Sequence, residues 1–171
     1  ESYFGVFEVF MPFVQVGVTD RLSLGGGTPL VFGAGEPPIW FTPKFRVFST
    51  ARTDVSVGTL HFWNVGEHNA GIAYGVATHG TADSAVTAGL GYTYSGTDVG
   101  SAVVMIGGER RATRSVKLIT ENYIGRGGHG VLMGGVRFMG ERLSADVGLF
   151  SPITSAGFFA GPMVNFVWKM K

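Results

Sequence analysis

The stretch PIWFTPKFRVFSTARTD, from Pro38 to Asp54, sorts with a period of two. Ile39, Phe41, Pro43, Phe45 and Val47 share one face, while Thr42, Lys44 and Arg46 share the other. That period is the β-strand's, with one apolar side and one charged side. The same alternation recurs along the chain. Val86, Ala88, Leu90, Tyr92 and Tyr94 alternate with Thr87, Gly89, Gly91 and Thr93. Leu132, Val136 and Phe138 oppose Gly135 and Arg137; Ala145, Val147 and Leu149 oppose Asp146 and Gly148. Pro162, Val164, Phe166 and Trp168 oppose Gly161 and Asn165, and Ile72, Tyr74 and Val76 oppose Gly71, Ala73, Gly75 and Ala77.

The pattern predicts strands at 3–18, 21–31, 39–49, 55–65, 70–79, 85–94, 102–111, 116–124, 131–140, 144–151 and 158–169. Short charged turns such as TARTD, TADS and ATRS alternate with longer Gly-rich connections such as GAGEPP, SGTDVGS and GRGGHG. A chain of hairpins of this kind is an up-and-down antiparallel sheet, and closing it into a barrel removes the exposed edges. No linker or composition shift interrupts residues 1–171, so a single domain is expected. Eleven segments are an odd number for a bacterial barrel of one chain. The expectation is therefore a twelve-stranded barrel whose first strand is missing from this chain or supplied differently. Segments 3–18 and 55–65 are apolar on both faces and resist assignment; a bulge near Pro12 would reset the first. Pro43 and Pro162 each remove a ladder donor, so a bulge or local gap is expected at both.

Composition decides which face is outside. Apolar residues make up 45% of the chain and charged ones 15%, against about 25% charged in ordinary soluble domains. The smaller face is mostly Gly, Ala and Thr with isolated charges, a poor coat against water but suited to the concave side of a curved sheet. The larger face then meets lipid, because in hydrocarbon only helices and closed sheets satisfy every backbone group. No apolar run long enough for a transmembrane helix occurs. The predicted fold is thus an all-β, up-and-down antiparallel transmembrane barrel in the bacterial outer membrane. Its lipid-facing residues are expected to include Phe41, Phe45, Val47, Ile72, Tyr74, Leu90, Val136, Phe138 and Phe166. Arg110 also falls on that side, close enough to a turn to snorkel. The expected lumen charge network is Glu8, Lys44, Arg46, Glu109, Arg111, Lys117, Glu121, Arg137 and Asp146. Buried charges of both signs must pair across the lumen or meet water there.

Several segments resemble a group of uncharacterised bacterial outer-membrane β-barrel proteins: VGVTDRLSLGGG (16–27), PKF (43–45), AGIAYGVATHGTADSAVTAGLGY (70–92), LITENY (118–123) and GVRFMGERLSADVGLF (135–150). The resemblance implies the same fold and membrane and brings no catalytic or binding residues with it. Such barrels commonly finish on an aromatic residue, whereas here Phe166 and Trp168 are followed by KMK, so an unusual or altered terminus is expected.

Signals for catalysis are weak. His61, His68, His79 and His129 share no metal-ligand spacing, and no Gly-x-Ser-x-Gly elbow occurs. No catalytic residue, metal or cofactor is expected; a membrane hydrolase would need a Ser/His pair assembled only in space. GRGGHG precedes a strand rather than a helix, which argues for a loop and against a phosphate cradle. Trp40, Trp63, Tyr74, Tyr92, Tyr94 and Trp168 are candidates for interfacial girdles. A net charge of +1 gives no electrostatic case for nucleic acid. Expected partners are membrane lipid or lipopolysaccharide, with room for an outer-membrane protein partner. The leading function is a narrow passive channel for small polar solutes. The alternatives are a structural or assembly component with a plugged lumen, and a soluble lipocalin-like carrier.

Overall fold

The computed structural model describes residues 2–8, 11–30, 37–65, 68–96, 100–154 and 157–170. Twelve main strands run through them: β1 (Ser2–Phe7), β2 (Met11–Gly17), β3 (Leu22–Gly27), β4 (Ile39–Ser49), β5 (Thr53–Val65), β6 (His68–Gly80), β7 (Ser84–Ser95), β8 (Ala102–Thr113), β9 (Val116–Gly125), β10 (Gly130–Met139), β11 (Leu143–Thr154) and β12 (Gly161–Met170). Gly157–Phe158 adds a two-residue pairing at the end of β11. Each main strand pairs antiparallel with its neighbour in sequence. β12 then pairs with β1, from Ser2↔Met170 to Phe7↔Asn165, and the sheet closes.

Closure corrects the strand count. Segment 3–18 is two strands, so the twelfth strand comes from within it and not from an additional segment. The chain reverses after Phe7, where Glu8 takes a left-handed φ of 50°. The Glu8 N–H donates to Asn165 Oδ1 at 3.1 Å, which ties the reversal to β12. No bulge forms at Pro12, which pairs with Val6 in an unbroken register.

The prolines behave differently from each other. Across Thr42 and Pro43 the β4–β5 ladder lapses and resumes at Lys44↔Gly58 in the same register. The register shift itself lies between Arg46 and Phe48, and there Val47 is the extra residue. Pro162 interrupts nothing: the β11–β12 ladder runs through Gly148↔Met163, Leu149↔Pro162 and Phe150↔Gly161. On its other flank β1 reaches only as far as Asn165, so no ladder donor is needed from Pro162.

Five short connections, 18–21, 50–52, 81–83, 114–115 and 140–142, share one end of the barrel, here the turn end. Three of them use one device. Thr19 Oγ1 accepts from the N–H of Arg21 and Leu22, Thr50 Oγ1 from Arg52 and Thr53, and Thr81 Oγ1 from Asp83 and Ser84. A threonine hydroxyl that mimics a backbone acceptor closes each turn. The opposite, loop end is where β1 ends and β2 begins, and likewise β3 and β4, β5 and β6, β7 and β8, β9 and β10, and β11 and β12. In GRGGHG, Gly127 and Gly128 take φ of 76° and 79° in a single 3-10 turn before β10.

The outside of the cylinder is apolar. Leu90 is 66% exposed and Val86 61%, with Phe41, Phe45, Val47, Ile106, Phe138, Leu149 and Phe166 also exposed. Val136 lies on the same face, between Leu118 and Val147. The buried apolar residues are instead Phe13, Trp40, Met105 and Met163. This is an inside-out molecule by the standard of a soluble domain, as a lipid-immersed barrel has to be.

Candidate functional site

Register carries the inner face from strand to strand along the row Ser23, Lys44, Gly58, Tyr74, Gly91, Val103. This row corrects β6. Ile72, Tyr74 and Val76 point inward, and Gly71, Ala73, Gly75 and Ala77 outward. The reason is space. A Cβ on Gly58 would lie 2.7 Å from the Tyr74 hydroxyl, and one on Gly91 2.6 Å from Ile72 Cδ1. Inward glycines on β5 and β7 make room for the large side chains of the strand between them. Two girdle candidates also turn inward, Trp40 and Tyr74. Trp63, Tyr92, Tyr94 and Trp168 remain on the outer face near strand ends, and there His61 Nδ1 pairs with the Tyr94 hydroxyl at 2.8 Å.

Most of the charged residues form clusters towards the turn end rather than one ring; Glu121 lies further along the barrel, paired in register with Met133. On β8–β11, Lys117 Nζ meets Glu109 Oε1 at 2.5 Å. Arg137 grips Asp146 through two hydrogen bonds, Nε to Oδ1 at 2.7 Å and Nη2 to Oδ2 at 2.9 Å, with Glu109 Oε2 at 3.9 Å from Nη1. Asp146 is 6% exposed and Lys117 is buried, so this cluster sits in a poorly hydrated place. Arg111 turns to Asp83 of the 81–83 turn at 2.5 Å. On the opposite wall, Arg46 donates to the Asp20 carbonyl at 2.5 Å and lies 3.6 Å from Asp54. Lys44 makes no ion pair among the described residues. Glu121 accepts from the Tyr123 hydroxyl. Glu8 is a correction: it lies in the reversal after β1, outside the strand alternation that placed it in the network. Asp54 and Asp83 were missed because both fall in stretches read as short turns, TARTD and TADS, outside the strand alternation.

Lys44 and Arg46 face a cavity of about 590 Å³ inside the wall at the turn end. Asp54, Ser56, Val76, Thr78, Ser23 and the 19–22 turn complete its lining.

The loop half of the interior is a different environment, and alternation did not reveal it. Phe7, Phe13, Trp40, Phe62, Met105, Met133 and Met163 all point inward there by register, with Tyr123 beside Met105 and Glu121 beside Met133. Phe7 and Phe13 stack at 4.2 Å, and Trp40 lies 6.0 Å from Phe13. The indole Nε1 of Trp40 is buried without a hydrogen-bond partner. The signal in the sequence was the two segments apolar on both faces, which supply Phe7, Phe13 and Phe62.

A closed twelve-stranded antiparallel barrel with an apolar exterior and its ion pairs inside has a porin-like transmembrane β-barrel fold. Among solved structures the chain is similar to KdgM porin, at TM-score 0.75 and 7% identity over 99% of this chain and 98% of that one. The same porin in complex with disordered oligogalacturonate gives 0.74 at 6% identity, and NanC porin 0.62 at 9%, both at the same coverage. At such identities the likeness is one of fold. No protein-family model and no curated protein matches the chain.

Proposed function

We propose that this barrel is a narrow passive channel for small polar or charged solutes, with its outward apolar wall in contact with membrane lipid or lipopolysaccharide. The observation that carries the reading is the cavity of about 590 Å³ held within the wall and lined by Lys44, Arg46, Asp54, Ser56 and Thr78. A cavity lined with charges and hydroxyls offers a hydrated ion replacement partners, which an apolar core does not. The porin fold supports the same reading. The test is single-channel current in planar bilayers. Stable current whose ion preference changes in Lys44→Ala or Arg46→Ala supports the channel. Absence of current from correctly folded barrels refutes it. A second reading, a structural component with a plugged lumen, is favoured by the packing of Phe7, Phe13 and Trp40 across the loop half. It predicts no current together with a retained membrane-protein partner.

A further inference from the structure

We infer that the turn-end cavity is a binding site for small zwitterions, solutes with one ammonium and one acidic group on a short chain. The inference deepens the channel reading and rests on it, because the cavity is then a stopping place on the permeation path. Its basis is a lining that carries both signs and leaves one group of each sign incomplete. Arg21, Lys44 and Arg46 share the cavity with Asp20 and Asp54. Arg46 is already engaged: its Nη2 donates to the Asp20 carbonyl at 2.5 Å, and its Nη1 stands 3.6 Å from Asp54 Oδ1. At that separation the second contact is an ion pair without a hydrogen bond. Asp54 Oδ1 is buried and has no hydrogen-bond partner, while the Asp54 side chain as a whole is 49% exposed. The carboxylate is therefore short of a donor and open to one. Lys44 makes no ion pair among the described residues. Its ammonium carries three donors and no acceptor, so what it lacks is an acidic group.

Register sets the offset between the two groups. Lys44 pairs with Gly58, and Asp54 lies four residues from Gly58 on β5, about 13 Å along the strand. Ser56 lies between them in sequence, and its side chain and that of Thr78 line the same space. A solute with its charges at opposite ends of a short chain can give its acidic end to Lys44 and its ammonium to Asp54. A simple anion satisfies Lys44 and then faces two carboxylates. A simple cation satisfies Asp54 and then faces three cationic side chains. A polyol hydrogen-bonds to both groups but brings no opposite charge to either. Further along the lumen the inward Glu121 also makes no ion pair among the described residues, so no single sign is favoured along the whole path.

The experiment uses the full chain in planar bilayers at neutral pH and a fixed potassium chloride concentration. It reads the solute concentration that halves the ion current. 3-Aminopropanesulfonate carries both charges; propanesulfonate and propylammonium keep the same chain with one charge each, and erythritol is an uncharged polyol of similar size. 3-Aminopropanesulfonate is expected to halve the current at about one tenth of the concentration that any of the others requires. Lys44→Gln should make it no better than propylammonium, and Asp54→Asn no better than propanesulfonate, because each substitution removes one end of the recognition. The comparison of solutes on the parent barrel depends on no variant folding. Propanesulfonate, propylammonium or erythritol blocking as well as the zwitterion overturns the inference and leaves the channel standing. An advantage of the zwitterion that survives either substitution does the same. No current at all, from barrels shown to be folded by heat-dependent gel migration, overturns both.

Discussion

Arg137→Met strands a carboxylate, and its cost measures how dry the barrel interior is. Arg137 holds both Asp146 oxygens, at 2.7 and 2.9 Å, and the Asp146 side chain is 8% exposed. Removing one partner of a buried pair costs about 3–5 kcal/mol, because the remaining charge is uncompensated. The Arg137 side chain is itself 37% exposed. Partial hydration puts the expected loss at the lower end, about 3 kcal/mol. Met keeps much of the contact made by the arginine stem, so the loss reports the charge rather than the packing. Arg137→Met combined with Asp146→Leu removes both charges and leaves Lys117 paired with Glu109. That double variant should return to within about 1 kcal/mol of the parent. The assay is urea unfolding in lipid vesicles followed by tryptophan fluorescence, with gel migration as a second probe. A single-variant loss below about 1 kcal/mol, the value of an exposed pair, would mean that water reaches Asp146 freely. The reasoning from a dry interior would then be wrong.

Other substitutions probe the remaining parts of the molecule. Leu90→Arg, in the middle of β7 on the outer face, should cost about 2–4 kcal/mol in vesicle unfolding; a water-facing site would show almost no effect. Gly58→Val should destabilise by about 1–3 kcal/mol because its Cβ meets Tyr74, and adding Tyr74→Ala should recover part of that loss in the same assay. Phe13→Ala should cost about 3–5 kcal/mol and raise single-channel conductance, whereas unchanged conductance would place the narrowest point elsewhere.

Much of the fold was legible because alternation is a local property of the strand. β4 and β7 to β12 sort into the faces that the structure gives them, and the short charged stretches TARTD, TADS and ATRS fall at the reversals between strands. The errors have specific causes. Segment 3–18 read as one strand because the reversal at Glu8 lacks the Gly, Asn or Pro that usually marks one; the bond from Glu8 N–H to Asn165 comes from a residue 157 positions away. β6 was inverted because bulk was taken as the sign of the outer face. What put Tyr74 inside was the absence of side chains on Gly58 and Gly91, its neighbours across two strands. Lys44 and Arg46 were placed on one face from spacing alone, but that Arg46 turns to Asp20 and Asp54 while Lys44 does not depended on how the 18–21 turn packs.

The sequence by itself determined a closed antiparallel barrel with an apolar exterior. A period of two, the scarcity of charge and the spacing of turns are each properties of short stretches, and together they favoured the lipid-facing barrel over the soluble carrier. The tertiary structure alone decided the strand count and the contents of the interior. Closing the cylinder brings distant strands into register, and only that register sets Met163 and Phe13 at one depth and Lys44 and Asp146 nearer the other end. The side chains that share a lumen are neighbours across the barrel and not along the chain, so the grouping of ion pairs near the turns and of aromatic and Met side chains nearer the loops is written in no single segment.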